Sequence, residues 1–131
     1  VILDAPRIGV RSCYPGLLPE FRGCTCVEWA IYLDEQVGNT TFLMNERIDE
    51  GPPILREGLT FEKRDDYVDI RVKVYRHSFQ LLARSVSHLA STASRGAEQE
   101  PSEGRYFGVI DDEKMSAVLE KIENGRYAFQ E

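Results

Sequence analysis

The chain has few residues of the kinds that form covalent or metal cross-links. It contains three cysteines and two histidines in 131 residues. Cys13, Cys24 and Cys26 are too few and too close together for a disulfide framework. One residue separates Cys24 from Cys26, whereas cysteine pairs in zinc knuckles are usually separated by two. The sequence therefore predicts no metal site, and its free thiols are typical of a reducing, cytoplasmic setting.

Long apolar runs and blocks of one charge are also missing. No apolar run approaches the roughly 20 residues that cross a bilayer, and the first ten residues do not resemble a signal peptide. The formal net charge is −6, without a run of five or six like charges. Nucleic acids and anionic membranes bind clustered Lys and Arg, so both partners are disfavoured. Since Val1 is not Met, we expect a fragment or a processed form.

What remains is the composition of one folded domain spanning residues 1–131. Hydrophobic residues make up 42% of the chain, which indicates a globular rather than a disordered protein. A chain of this length buries about two thirds of its unfolded surface, enough for one core.

A segment rich in proline and glycine, SCYPGLLPEFRG at residues 12–23, follows a short strand predicted over 8–14. The segment is too rigid for a disordered linker and too interrupted for a helix, so it predicts an ordered loop. A helix is expected over about 25–35. Thr25 and Glu28 have the spacing of a capping box at its start.

Two further strands are predicted around a tight turn. NTTFLMNE and ILREGLTFE are separated by Gly51, Pro52 and Pro53, and they are expected to pair as a hairpin. Polar side chains gather before the turn, at Asn45, Glu46, Arg47, Asp49 and Glu50. In open α/β sheets, ligand sites lie beyond the carboxyl ends of strands.

A long helix is predicted over about 66–92, with Asp65 or Asp66 as its cap. Its first turns also alternate apolar and polar residues, so a strand competes there, but the helical spacing continues for six turns. A stripe of this kind ordinarily faces the core, and His77 and His88 are then expected at the surface. The stripe consists of Val68, Val72, Tyr75, Phe79, Leu82, Val86 and Leu89.

The last third of the chain divides into two segments. Residues 91–104 are small, polar or charged, and they predict a surface loop or linker. Residues 105–131 are predicted as a C-terminal helical tail that opens with a short extended piece, RYFGVI. A capped helix follows, with Met115, Val118, Leu119 and Ile122 on one face and Gly125 as its stop. The predicted fold class is α/β, a small, partly parallel mixed sheet flanked by helices.

These motifs resemble the C-terminal half of the folate-dependent formyltransferase domain. The resemblance covers about residues 8–62 and is carried by several positions that match in order and spacing: Pro15, Leu17-Leu18-Pro19, Arg22-Gly23, Trp29, Gly38, Thr40, Ile48-Asp49 and Gly51. That family includes glycinamide ribonucleotide, methionyl-tRNA and sugar-amine N-formyltransferases.

The resemblance implies transfer of a formyl group from 10-formyltetrahydrofolate to an amine. In the family, an Asn and a His stabilise the oxyanion and move protons, and an Asp orients the His. Here the Asn falls on Ser12 and the His on Tyr14, while a second frequent His falls on Phe42. Of the catalytic set only Asp49 remains. Tyrosine, with an ordinary pKa near 10, donates a hydrogen bond to an oxyanion but is a poor base at neutral pH.

The candidate catalytic positions are therefore Asp49, Ser12 and Tyr14. The resemblance assigns the loop Leu17, Leu18, Pro19 and Arg22, and the turn Asn45, Glu46 and Arg47, to the folate or substrate cleft. Each also has a plain structural role: Asp49 as a turn acid, Tyr14 as a packed ring, and Arg22 as a salt-bridging residue.

Three hypotheses about function remain open at this point. The first is a catalytically degenerate relative that keeps a ligand- or partner-binding cleft. The second is a component of a working N-formyltransferase, acting on an amino sugar or similar amine and completed by another chain or half. The third is a folded protein whose cleft is collapsed. Since a half sheet exposes a strand edge and an apolar face, we also expect a homodimer or a complementing chain.

Overall fold

A computed structural model describes residues 2–47, 49–92, 99–100 and 104–131. Ile48 of the predicted Ile-Asp motif lies outside the described residues, as do residues 93–98 and 101–103 of the predicted linker. After a short 3-10 turn at Ile2–Asp4, the elements are β1 (Arg11–Tyr14), β2 (Phe21–Gly23), α1 (Cys26–Tyr32), β3 (Gly38–Leu43), β4 (Pro53–Gly58), α2 (Tyr67–Thr92), β5 (Arg105–Phe107) and α3 (Asp112–Glu123).

The larger sheet has three antiparallel strands in the order β1-β3-β4. All six residues of the central strand β3 are buried, and its Val37 flank is buried as well. The predicted β3–β4 hairpin is confirmed, with Thr41 opposite Leu55 and an irregularity before Phe42. The strand β1 lies at one edge of this sheet.

Parallel pairing occurs in a second, two-stranded sheet. There β2 pairs with β5 in the register Phe21 to Arg105 and Gly23 to Phe107. The rings of Phe21 and Phe107 stack with centroids 5.2 Å apart. The predicted α/β class is therefore confirmed, with its parallel and antiparallel strands in separate small sheets.

The helix α1 begins where the sequence predicts but without the predicted capping box. Thr25 has a φ of 47° and makes no side-chain cap hydrogen bond. Its Oγ1 instead accepts the backbone N–H of Ile110 at 2.9 Å. The capping-box prediction is wrong because the hydroxyl is used to hold the segment before α3, more than 80 residues away, and sequence spacing does not reveal such a partner.

The long helix α2 was predicted correctly in extent, but its predicted core face is wrong. The residues that it buries are Ile70, Val74, Leu81, Ser85 and Leu89, and they pack on the three-stranded sheet. Of the predicted stripe, the majority is exposed: Val68, Val72, Tyr75, Phe79 and Val86. Two apolar stripes run along this helix, and the one with more apolar side chains points to solvent.

His77 on α2 was expected at the surface, but it is part of a polar network beneath it. Its side chain is 13% exposed. The Asn39 amide Nδ2 lies 2.8 Å from His77 Nδ1, and His77 Nε2 lies 2.9 Å from a carboxylate oxygen of Glu57. Because an amide nitrogen donates, Nδ1 accepts and Nε2 carries the hydrogen that Glu57 receives. His77 therefore links α2 to β3 and β4.

The helix α3 follows its predicted signals. The Asp111 carboxylate accepts the backbone N–H of Lys114 at 2.9 Å and caps the helix. Val118 and Ile122 are fully buried, whereas Leu119 is exposed, and the helix packs against α1. In the parts of the chain that the structure describes, no helix combines the length and apolarity needed to span a membrane.

Candidate functional site

The loop after β1 is held in place by hydrogen bonds to the central strand. The Thr40 hydroxyl on β3 donates to the Gly16 carbonyl at 2.8 Å and accepts the Leu18 backbone N–H at 3.0 Å. Leu18 is buried beneath the loop. The loop is therefore ordered, as its prolines and glycines predict, and it begins and ends beside the candidate catalytic positions.

Tyr14 stands at the end of β1 with its ring buried. Its hydroxyl donates to the Gly23 carbonyl at 3.0 Å and lies 2.8 Å from Cys26 Sγ. Burial, with a smaller contribution from Cys26, raises the pKa of Tyr14 far above its usual range. This phenol keeps its proton at any ordinary pH, so it is a hydrogen-bond donor and not a base.

Asp49 approaches the same glycine from the other side. Its Oδ2 accepts the Gly23 backbone N–H at 3.2 Å, and its backbone adopts the left-handed region with φ at 56°. Burial raises the pKa of the Asp49 carboxyl, and the Gly23 N–H and the Arg22 charge oppose that rise. Gly23 thus connects Tyr14 with Asp49.

Arg22 is fully buried and supports the turn that carries Asp49. Its Nη2 donates to Gln99 Oε1 at 3.0 Å. Gln99 Nε2 in turn donates to the backbone carbonyls of Asp49 at 3.1 Å and Gly51 at 2.7 Å. The Arg22 Nε is buried and has no hydrogen-bond partner within the described part of the chain. Arg22 Nη2 also donates to the Glu100 carbonyl at 3.4 Å, and the guanidinium carbon lies 5.6 Å from the centroid of the Tyr106 ring.

Sequence analysis missed Gln99, which lies in the segment predicted as a linker. Nothing in its surroundings signals a buried amide, since its neighbours are polar and its partner Arg22 is 77 residues away. Only the fold brings the two together.

Several of the predicted site residues line one cavity of about 240 Å³. A second cavity, of about 290 Å³, shares part of this lining and adds Glu50 and Gln99. The first cavity is lined by Ser12, Phe42, Met44, Asn45, Glu46, Arg47 and Asp49.

Tyr14 lines a different cavity, of about 320 Å³, together with Gly23, Cys26 and Glu28. The structure thus brings Ser12 and Asp49 together with residues 45–47, and it places Tyr14 on the far side of Gly23. Leu17, Leu18 and Pro19 do not belong to the lining of these three cavities.

Charged side chains form the rim of the cavity of about 290 Å³. Tyr106 Oη donates to Glu50 Oε1 at 2.7 Å, which lowers the pKa of Glu50. Arg47 Nη1 lies 3.4 Å from the other carboxylate oxygen. The Asn45 side chain accepts the Arg47 backbone N–H at 2.9 Å and shapes the turn. Cationic and anionic groups therefore stand side by side at the entrance.

The thiols near the site are poor nucleophiles. Burial raises the pKa of Cys13 to about 11 and that of Cys26 to about 11, so both stay protonated at neutral pH, whereas the reactive form is the thiolate. In the described ranges, no three His, Cys, Asp or Glu side chains are grouped to hold a metal ion. No described histidine lines the three cavities.

Comparison with known proteins decides the family. A family model described as formyl transferase matches residues 1–86. The chain belongs to the formyl transferase family. The methionyl-tRNA formyltransferase of Clostridium tetani is 27% identical over 124 residues, which cover 94% of this chain and 40% of the relative. That of Thermosynechococcus vestitus is 30% identical over 110 residues, 83% of this chain and 33% of the relative. The chain thus spans less than half of these relatives.

The solved structures of this family share the fold. The formyltransferase PseJ from Anoxybacillus kamchatkensis superposes with a TM-score of 0.75 at 18% identity, over 96% of this chain and 70% of that one. That protein is in complex with UDP-4,6-dideoxy-4-formamido-L-AltNAc and tetrahydrofolate. The predicted resemblance to formyltransferases is therefore confirmed in both sequence and fold.

Proposed function

We propose that this chain is a formyl transferase-family protein that binds a folate-type ligand and, by itself, does not transfer the formyl group. One observation carries the proposal. The position of the family's histidine holds Tyr14, whose hydroxyl is committed to the Gly23 carbonyl and whose phenol stays protonated. Formyl transfer to an amine needs a group that accepts and releases a proton near neutral pH, and Tyr14 does not supply one.

The neighbouring position weakens catalysis further. Ser12 stands where the family has an asparagine, and it carries a hydroxyl in place of the carboxamide, so its donor reaches less far from the backbone. Loss of a single oxyanion donor typically costs about a hundredfold to a thousandfold in rate. With Asp49 alone remaining, the chain keeps an acid without the imidazole that this acid would orient.

The cleft itself is suited to a flat heterocycle with hydrogen-bond donors. Phe42 and Met44 supply apolar surface in the 240 Å³ cavity, while Asp49 and Glu46 supply acceptors for an aminopyrimidine edge. Arg47 is exposed at the rim, where its cation would bind the anionic tail of a folate. This arrangement supports a reduced folate as ligand, with 10-formyltetrahydrofolate as the family's formyl donor.

Isothermal titration calorimetry with 5-formyltetrahydrofolate tests the binding proposal. We expect one saturable site, weakened at least tenfold by Arg47→Ala because the cation at the rim is lost. Arg64→Ala is the matched control, since Arg64 is exposed in the loop between β4 and α2. Absence of saturable binding, or equal affinity of wild type and both variants, would contradict the proposal.

A second candidate function is a component of a working N-formyltransferase, with an amino sugar or similar amine as acceptor. The observation that favours it is the chain's span of 33–40% of its curated relatives together with an edge strand, β1, that carries the candidate site. Another chain or half that pairs with β1 would be able to add the missing groups beside Asp49.

We also propose a cytoplasmic setting and a partner chain. The three cysteines are free, as expected of a cytoplasmic protein. A homodimer or a complementing chain would cover the edge of β1.

A further inference from the structure

The cavity that Tyr14 lines contains an ion pair that the proposed function leaves unused. This cavity of about 320 Å³ shares no lining residue with the proposed folate cavity, and its wall includes Glu28 of α1 and Tyr67 and Arg71 of α2. Glu28 is 3% exposed. Its Oε1 accepts the Tyr67 hydroxyl at 2.5 Å and Arg71 Nη1 at 3.1 Å. A buried carboxylate therefore stands in the wall, held by two residues of the same wall.

One oxygen of this carboxylate lacks a hydrogen-bond donor. Glu28 Oε2 is buried, and none of the residues that the structure describes donates to it. Buried polar atoms are ordinarily paired, because leaving water without a new partner costs free energy. Since Glu28 belongs to the cavity wall, a molecule bound in the cavity would supply the missing donor.

Arg71 also has hydrogen-bonding capacity left. A guanidinium carries five N–H donors, and among the described residues Arg71 uses them for one bond, from Nη1 to Glu28. Its side chain is 29% exposed. The remaining N–H groups are therefore open to an oxygen atom of a ligand.

The other hydroxyl and thiol groups beside the ion pair already have partners. The Tyr14 hydroxyl donates to the Gly23 carbonyl and lies 2.8 Å from Cys26 Sγ. The Thr25 hydroxyl accepts the Ile110 backbone N–H at 2.9 Å. These groups are used within the chain, so the acceptor and the donors left for a ligand are those of the ion pair.

The phenol and thiol groups of the wall are uncharged at neutral pH. Burial, with a smaller contribution from the hydrogen bond to Glu28, raises the pKa of Tyr67 to about 12. Burial raises the pKa of Cys26 to about 11 and that of Tyr14 far above its usual range. The charges that line this cavity are therefore one carboxylate and one guanidinium, side by side.

We propose that this cavity binds a small zwitterion whose ammonium and carboxylate groups lie close together, as in a free α-amino acid. The ammonium donates to Glu28 Oε2, and the carboxylate accepts from the free N–H groups of Arg71. Hydrogen bonds between ionised groups are shorter and stronger than neutral ones. A ligand with a single charge would match one group of the pair and bring its charge next to the like charge of the other, which is unfavourable.

Titration of the ¹⁵N-labelled chain with L-valine, followed by two-dimensional NMR, tests the site. Isobutylamine and isovalerate are the matched probes, because each is valine without one of its two charged groups. We expect saturable shifts at the amides of Glu28 and Arg71 with valine, and at least tenfold weaker binding of either single-charge probe. Shifts centred on Phe42 and Met44 would place valine in the proposed folate cavity and contradict the assignment.

Glu28→Gln tests the carboxylate itself. The amide keeps the size of the side chain but removes the charge that binds the ammonium, so we expect the affinity for L-valine to fall at least tenfold. Glu20→Gln is the matched control, because Glu20 forms an exposed ion pair with Arg56 and does not line this cavity. Circular dichroism checks that both variants are folded. If Glu28→Gln is unfolded, the comparison of valine with the two single-charge probes on wild type decides.

Three results would overturn the proposal. Absence of saturable binding of L-valine would leave Glu28 Oε2 to solvent. Isobutylamine or isovalerate that binds as tightly as valine would reject recognition of a zwitterion. Equal affinity of Glu28→Gln and Glu20→Gln for valine would place the ligand away from Glu28. Each of these results is independent of whether the chain binds 5-formyltetrahydrofolate, because the two cavities have separate linings.

Discussion

At the residue scale, hydrogen bonds hold Gly23 on both sides. Its carbonyl accepts the Tyr14 hydroxyl, and its N–H donates to Asp49. Tyr14 binds this glycine through a neutral group, whereas Asp49 does so through a carboxyl whose pKa is raised by burial. A carboxyl with a raised pKa stabilises the fold at low pH and loses that contribution as the pH rises and it ionises. Ionisation of the Asp49 carboxyl therefore costs stability at neutral pH, although its hydrogen bond to Gly23 is kept.

The substitution Asp49→Asn separates a structural role from a functional one. We expect its free energy of unfolding to lie within about 0.5 kcal/mol of wild type or above it. The amide keeps an acceptor for the Gly23 N–H, asparagine tolerates the left-handed backbone, and the buried charge is removed. Urea denaturation at neutral pH measures the effect.

The companion variant Asp49→Ala removes the acceptor and leaves the Gly23 N–H without it. That should cost about 1–3 kcal/mol. If Asp49→Asn were as destabilised as Asp49→Ala, the negative charge itself would stabilise the fold. Asp49 would then have a structural role, and its presence would no longer support a functional one.

The sequence predicts which residues belong to the candidate site better than it predicts their contacts. The motif positions locate Ser12, Asp49 and residues 45–47, and these line one cavity. Tyr14 lies across Gly23 from that cavity because its hydroxyl is drawn to Gly23 and Cys26. Gln99 escaped prediction altogether, since its partners lie some 50 and 77 residues away in sequence.

At the scale of secondary-structure elements, the β3–β4 hairpin depends on the close approach of Gly51 to the Leu43 carbonyl. A side chain on Gly51 would place its Cβ 1.6 Å from the Leu43 carbonyl oxygen, so the turn must open to accept it. We expect Gly51→Ala to destabilise the chain by roughly 2–3 kcal/mol. Thermal and urea unfolding measure this.

The matched control is Gly108→Ala, because the added methyl group there meets no atom within 4 Å. Its stability should stay within about 0.5 kcal/mol of wild type. Equal stability of Gly51→Ala and Gly108→Ala would mean that the turn adjusts freely, and the close contact would have no energetic weight.

The contact between α2 and β4 makes stability depend on pH. Two hydrogen bonds from Arg84, and a further one from His77, lower the pKa of Glu57 from its usual 4.5 to about 2. The stabilisation is present above pH 4.5 and is lost as the pH falls towards 2. Because the Glu57 side chain is 39% exposed, solvent reduces the contribution to about 0.5–1 kcal/mol.

Unfolding temperatures at pH 6 and pH 3 test the contribution of the Glu57 contacts with Arg84 and His77. The variants Glu57→Gln and Arg84→Ala should each lose less stability than wild type over that interval, since the ionic partner is already gone. A fall in both variants as large as that of wild type would assign the acid sensitivity to other carboxylates.

Secondary structure was predictable at this scale, but the buried face of α2 was not. Hydrophobic periodicity identifies a helix with apolar stripes, and α2 has two. Ile70, Val74 and Leu81 are buried where α2 packs on the three-stranded sheet, whereas the stripe through Phe79 is exposed. A sequence pattern does not distinguish contact within the chain from contact with a partner.

At the scale of the whole chain, hydrogen bonds between distant segments hold the formyl transferase fold around the candidate site. The loop after β1 is tied to β3, the Asp49 turn is tied to Arg22 through Gln99, and the cavity between them is open. This much of the α/β fold followed from turn residues and motif order. The separation into two small sheets did not, since strand partners distant in sequence, such as β2 and β5, leave no local signal.

Formyl transfer by the purified chain tests the central claim most directly. Mass spectrometry would follow formylation of amino sugars by 10-formyltetrahydrofolate, with wild type and Asp49→Asn side by side. The account predicts no turnover above the uncatalysed rate for either protein, because Tyr14 moves no proton. Turnover by wild type that Asp49→Asn abolishes would contradict it.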